Sequence, residues 1–302
     1  MQKLAFWLLI GISLIGCHST QKISYTPDQL VPTDKALLWK ISANGLKKPS
    51  YLLGTIHLIP KQKFALSEAT YDALAESRRV TFEIDMKEMT NLVSQFSLLP
   101  KAFMRNGKTL RDLLPEADYS FVKQKLESQG MAIGMLERMK PLFLSTMFGS
   151  EEGSSMGNAN MTSVEMELFK QVKHRKLESA GLETAAYQMG IFDSIPYEVQ
   201  AKMLVETLRN SEGADTEFDQ MIELYLQKDI NGMEAMMGEG ESGMDQYQNV
   251  LLDNRNRNWI PTMSRMMLEK PTLFAVGAGH LGGPGGVIAL LRKEGYQVEA
   301  AE

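Results

Sequence analysis

The sequence predicts an α/β fold: a mixed sheet built from two strand–helix–strand repeats, each carrying a Gly-x-x-His (GxxH) motif, with a large helical insertion between them. Three observations carry this expectation. The runs Tyr51-Leu52-Leu53-Gly54-Thr55-Ile56-His57 and Leu273-Phe274-Ala275-Val276-Gly277-Ala278-Gly279-His280 are both apolar, stop at a glycine and deliver a histidine three residues later. Each is followed by a loop, a helical pattern and a further strand pattern, which is the signature of an internal repeat. Between about residues 86 and 267 the apolar residues recur at helical rather than strand spacing.

In chain order, residues 1–16 carry one basic residue, Lys3, and an apolar stretch from Leu4 to Ile15 that is short for a membrane span and fits a secretory signal segment. It ends at Leu14-Ile15-Gly16-Cys17, which resembles the bacterial lipoprotein box, whose cysteine is acylated. Cys17 is the only cysteine, so it has no disulfide partner within the chain. A lipid-anchored protein of the bacterial cell envelope is expected, attached at the outer membrane and facing the periplasm, because the residue after Cys17 is His18 rather than Asp. Residues 17–35, polar with two prolines, read as a tether, and residues 36–302 as the folded domain.

The domain opens with Ala36 to Ile41, then the turn signal Asn44-Gly45, then the Gly54 run, a β-hairpin pattern. The glycine of each motif is expected to let the backbone turn sharply. Ser67 is placed to cap a helix over Ala69–Ala75, and Arg79 to Asp85 is the next strand. In a parallel sheet this arrangement brings Glu83 near His57, with Asp85 as the competing carboxylate on the same strand face. Within the insertion, Gly149 to Asn160 is either a mobile cover over a site or an exposed connection. Arg175 to Thr184 contains a short strand. His174 reads as a helix C-terminal residue, and 245–267 as a helix whose Arg255 and Asn256 could reach a carboxylate or an anionic intermediate, with an exposed helix face as the default. The second repeat runs from Pro271 through a strand, the motif, a glycine-rich loop, a helix over Val287–Glu294 and a last strand. The glycines after His280 lack both the dinucleotide fingerprint and the phosphate-loop lysine. The net charge of −5, with basic residues scattered, sets nucleic acid aside as a partner. The 21 methionines read as adaptable helix packing.

Because open α/β sheets bind ligands at strand carboxyl ends, two histidine deliveries predict one site. Taken with Leu38-Trp39-Lys40-Ile41, Phe82-Glu83-Ile84-Asp85, Gly181-Leu182-Glu183-Thr184 and Arg255-Asn256-Arg257, the ordered set resembles the TraB/GumN family. That family is related to the TIKI proteases and, more distantly, to erythromycin esterases and ChaN-type haem-binding lipoproteins. The resemblance covers Leu37 to the C-terminus. It implies a hydrolytic or metal site of His57, His280 and Glu83, with Arg255 beside them and Glu183, Asn256 and Glu165 around them. Relatives often carry Asp at the position of Glu165, and this departure leaves its part as a ligand open. The expected activity is metal-dependent hydrolysis of a peptide or small molecule, with Zn, Mn or Co held by the two imidazoles and the carboxylate. Glu83 is then ligand or base. The alternatives are metal-free hydrolysis with His57 as base and a non-enzymatic lipoprotein binding haem or a peptide.

Overall fold

The computed structural model describes residues 22–128, 130, 132–148, 160–210, 217–239 and 245–302. The expected signal segment, Cys17 and, apart from Asn160, the expected Gly149–Asn160 loop lie outside the described residues.

Eight strands are present among them: β1 (Leu38–Ser42), β2 (Ser50–Thr55), β3 (Ile59–Pro60), β4 (Arg79–Ile84), β5 (Met161–Thr162), β6 (Glu178–Glu183), β7 (Thr272–Gly277) and β8 (Gln297–Ala300). Six form one mixed sheet in the order β6-β4-β7-β2-β1-β8. β6, β4, β7 and β2 run parallel, β1 is reversed, and β8 is antiparallel to β1. β2 is buried at every position, as a strand covered on both faces requires. β1 and β2 make the expected hairpin, Leu38 opposite Leu53, with Ala43, Asn44 and Gly45 all at positive φ in its turn.

The two segments expected to be repeats are interleaved rather than side by side. The first runs from β2 to β4 and the second from β7 to β8, yet β7 sits between β2 and β4. Thr55 is in register with Gly277, so both motifs leave the sheet at the same edge on neighbouring parallel strands. Gly54 does not supply a turn. It lies inside β2 without positive φ, and a Cβ there would stand 3.0 Å from the Cβ of Ala278. Its role is clearance between the two crossing motif segments.

Helices cover both faces. Phe82 packs edge-on against Phe169 of the Val164–Arg175 helix, while its neighbour Thr81 reaches Met266 of the Asn254–Glu269 helix. Successive strand residues point to opposite faces, so those two helices lie on opposite sides. The Glu68–Glu76 helix, capped by Ser67 as expected, joins the first side through Tyr51–Glu76. The Val287–Lys293 helix joins the second. The insertion is mostly helical but also contributes β6 to the main sheet, because Gly181 admits the strand against β4: a Cβ there would lie 2.5 Å from the Asp85 amide nitrogen. The Leu110–Leu113, Glu116–Ser128, Pro141–Phe148 and Tyr197–Asn210 helices of the insertion gather around a second apolar cluster that includes Leu110, Val122, Leu144 and Leu204, whereas Ile222, Tyr225, Ile230 and Met233 carry the Glu217–Leu226 and Ile230–Glu239 helices into the main core.

The described part of the tether is seated on the domain. Ile23 N donates to Gly295 O, Arg292 donates to the carbonyls of Gln29 and Leu30, and Asn231 donates to that of Pro32.

Candidate active site at the carboxyl edge of the sheet

On one face, β2 ends at Thr55 and His57 follows in an exposed loop. The His57 Nδ1 lies 2.8 Å from Glu165 Oε1. Glu165 sits in the first turn of the Val164–Arg175 helix, whose N-cap Ser163 donates to its other oxygen at 2.6 Å, and Thr55 Oγ1 donates to Oε1 at 2.7 Å. Burial alone would raise the Glu165 carboxyl, but His57 and these hydroxyls outweigh it and hold it down at about 2. An ionised carboxylate only accepts, so His57 Nδ1 is the donor and Nε2 is its remaining nitrogen. The Glu165 charge raises His57 to about 9. The His57 side chain is 76% exposed, so solvent screens the pair and its stabilising effect is that of a surface ion pair.

On the other face, Glu83 and His280 meet Arg255 and Asn256, the last two buried rather than solvated. A π-helical turn over Asn249–Asp253 runs directly into their helix, and Arg255 Nη1 returns to the Leu251 carbonyl at 3.0 Å. Such turns re-aim the side chains that follow. Arg255 Nη2 donates to Glu83 Oε2 at 2.5 Å and to Glu183 Oε1 at 2.6 Å. Glu83 Oε1 accepts from the Gly277 amide at 2.8 Å, and Gln188 bridges Glu83 and Glu183. Trp259 Nε1 donates to Glu183, and its ring lies 4.6 Å from that of His280.

The tautomer of His280 follows from its partners. Asn256 Nδ2 donates to the Gly285 carbonyl at 3.0 Å, so its Oδ1 faces His280 Nδ1 at 2.7 Å and must accept. Arg255 Nη1, 3.1 Å from His280 Nε2, can only donate. His280 is therefore neutral, with its proton on Nδ1 and a lone pair on Nε2. Burial, with Arg255 and His57 adding to it, lowers the ring to about 3 against the attraction of Glu83. Glu83 is held at about 2: its burial is overcome by the positive charges of the cluster, of which Arg255 is the permanent one at neutral pH.

Every residue expected at the site is thus placed. Glu83, Glu183, Arg255, Asn256 and His280 form one hydrogen-bonded cluster, and His57 with Glu165 forms a dyad electrostatically coupled to it. Asp85 instead caps a helix through Lys87 N and accepts from Ser179, outside the cluster that Glu83 joins. Thr55, Ser163, Gln188 and Trp259 went unread in the sequence. Thr55 lies inside the motif and Ser163 is an N-cap signal before the apolar Val164, but nothing local marks Gln188 or Trp259.

The donors match a divalent ion in kind. Both imidazoles have Nδ1 tied to an oxygen acceptor, as ligating histidines do, but the His280 Nε2, 3.8 Å from Glu83 Oε1, already accepts from Arg255 Nη1. Among the described residues no three acidic, His or Cys side chains close around one point. The cluster is instead balanced on the Arg255 guanidinium.

The fold and site define an α/β protein with a histidine–carboxylate centre at the carboxyl edge of a parallel sheet core. A family model described as TraB/PrgY/gumN matches residues 37–300, and the chain belongs to that family. It is 22% identical to metalloprotease TIKI1 of Danio rerio, covering 87% of this chain and 63% of that protein. It is 23% identical to metalloprotease TIKI2 of Danio rerio (87% and 60%) and 22% identical to metalloprotease TIKI1 of Homo sapiens (88% and 62%). The chain spans about three fifths of the length of these relatives. No solved structure matches it.

Proposed function

We propose that this protein is a hydrolase of peptide bonds that works with a divalent ion, Zn, Mn or Co, held by His57, His280 and Glu83. The observation that carries the reading is the orientation of both motif histidines: each Nδ1 is spent on an oxygen acceptor, which leaves Nε2 as the ligating nitrogen beside one carboxylate once His57 gives up its proton and Arg255 releases the His280 Nε2. The similarity to proteins named metalloproteases supports it. An ion at this site would polarise the scissile carbonyl and acidify a water. Glu165 makes His57 a stronger ligand, because the charge that raises its proton affinity raises its affinity for any cation. Arg255 fixes Glu83 and places positive charge where an oxyanion develops. A His57 that holds its proton to about pH 9 is a poor general base at neutral pH without an ion, which disfavours metal-free hydrolysis. His280, buried against Trp259, offers no open face to a porphyrin.

The test is cleavage of a randomised peptide library by protein dialysed with Mn, Co or Zn, with and without chelator. Chelator-sensitive cleavage absent in His57→Ala and Glu83→Gln is expected. Cleavage by wild type that survives chelation overturns the role of the ion, and no cleavage under any condition overturns the peptidase reading.

Membrane attachment at Cys17, in the bacterial envelope facing the periplasm, belongs to the same proposal. What supports it, beyond the sequence around Cys17, is the path of the seated segment. Lys22 and Ile23 lie against Gly295, at the edge where Asn44 also bonds Glu294 and which is opposite the two motifs. Four residues lie between Cys17 and Lys22, and the five steps along the chain reach at most about 18 Å. A lipid there holds that edge near the bilayer and turns the histidines away from it. Labelling at the outer membrane that is lost in Cys17→Ser tests this, and unchanged membrane association of that variant refutes it.

A further inference from the structure

A cavity of about 260 Å³ opens beside the His57 loop and contains none of the residues assigned to the chemistry. Its walls are Leu53, Ile59, Phe64, Leu66, Val164 and Tyr225, and the exposed Ala65 and Leu226 stand at its mouth. These walls are the segments that hold the dyad. Leu53 shares a strand face with Thr55, one strand repeat of about 7 Å behind it. Val164 precedes Glu165 and donates its amide to the Ile56 carbonyl, Ile59 is two residues beyond His57, and Tyr225 donates its hydroxyl to the Gly54 carbonyl. The polar groups of the lining are already engaged with one another or with close neighbours. Lys228 pairs with Glu302, Glu302 also accepts the Leu37 and Leu38 amides, Lys63 pairs with Glu223, and Ser67 bonds Thr70. A ligand entering the cavity thus meets apolar wall and self-satisfied polar groups, conditions that favour an uncharged apolar group and penalise a charged one. The volume is large enough to admit an aromatic side chain.

We propose that this cavity is the subsite that receives a large apolar, preferentially aromatic, side chain of the substrate, and so sets specificity next to the His57–Glu165 dyad. The proposal rests on the peptidase reading for the word substrate, but binding at the cavity stands or falls separately. The filling variant is Ala65→Trp, which starts from an exposed position and leaves the core and the cluster untouched.

The experiment titrates protein expressed from Lys22 onward and labelled at Ile, Leu and Val methyls with N-acetyl-tryptophanamide, N-acetyl-phenylalaninamide and N-acetylglycinamide. The aromatic amides are expected to shift the Leu53, Ile59 and Val164 methyls and to bind at least about ten-fold tighter than the glycine amide. Ala65→Trp should abolish the response and His57→Ala should keep it. If those methyls do not respond, or respond equally to the glycine amide or in Ala65→Trp, the subsite is refuted even where peptides are cleaved. In the library assay, Ala65→Trp should raise KM for aromatic substrates with kcat retained. A protein that binds the aromatic amides but cleaves nothing refutes the peptidase reading alone.

Discussion

Arg255→Met removes the cation on which the buried cluster is balanced while keeping much of the side-chain volume. Arg255 Nη2 alone joins Glu83 at 2.5 Å and Glu183 at 2.6 Å, and all three side chains are about one tenth exposed or less. Removing one partner of a buried pair costs about 3–5 kcal/mol, because the charge left behind has lost its counter-ion. Here two carboxylates are left facing each other, which places the expected loss at the upper part of that range, about 4–5 kcal/mol or roughly 7–9 °C in Tm for a domain of this size. The cost should depend on pH in a defined sense. Burial, the strongest influence on Glu83, raises its carboxyl once Arg255 is gone, so Glu83 takes up a proton as the pH falls and the penalty shrinks. Urea unfolding at pH 8 and pH 5.5 measures both effects. A loss below about 0.5 kcal/mol, the range of ordinary surface substitutions, or a loss equal at the two pH values, refutes the reasoning.

Three further outcomes follow from the same geometry. Glu165→Gln should return the His57 imidazole from about 9 toward its ordinary 6.5, read from its ring proton in an NMR titration, and a wild-type value already near 6.5 contradicts the dyad. Stability should fall on the acid side through Glu83 and His280: both are depressed in the fold, so the Glu83 contribution is present above 4.5 and lost as pH falls through about 2, and that of His280 is present above 6.5 and lost through about 3. His280→Gln should flatten the acid limb between those values. His57, raised in the fold, contributes below 6.5 and loses its contribution as pH rises through about 9, a shallow alkaline limb that His57→Gln should remove. Gly54→Ala should destabilise by about 1–3 kcal/mol through overpacking against Ala278, and a neutral effect in thermal unfolding counts against the close crossing of the motifs.

The sheet's central strands and both motif histidines were legible because buried parallel strands are written as apolar runs, and the glycine–histidine spacing survives in one dimension. The interleaving of β7 between β2 and β4 was not legible, since strand order is set by long-range pairing that no local pattern records. Arg255 and Asn256 read as an exposed helix face for a similar reason. Their burial depends on a π-helical turn and on carboxylates 72 and 172 residues away in sequence. Glu165 enters the sequence reading only through the family resemblance and not as the partner of His57, because β2 and the Val164–Arg175 helix meet only in the folded chain.

The central claim is that His57, His280 and Glu83, from three separate strand ends, constitute one ion-binding centre. Elemental analysis of protein expressed from Lys22 onward, after dialysis with Zn, Mn or Co and removal of free ion, tests it without reference to any substrate. The account predicts one ion per chain in the wild type and its loss in each of His57→Ala, His280→Ala and Glu83→Gln, with all three variants folded by circular dichroism. Retention of the ion in those variants, or a wild type that hydrolyses peptides while holding none, contradicts it.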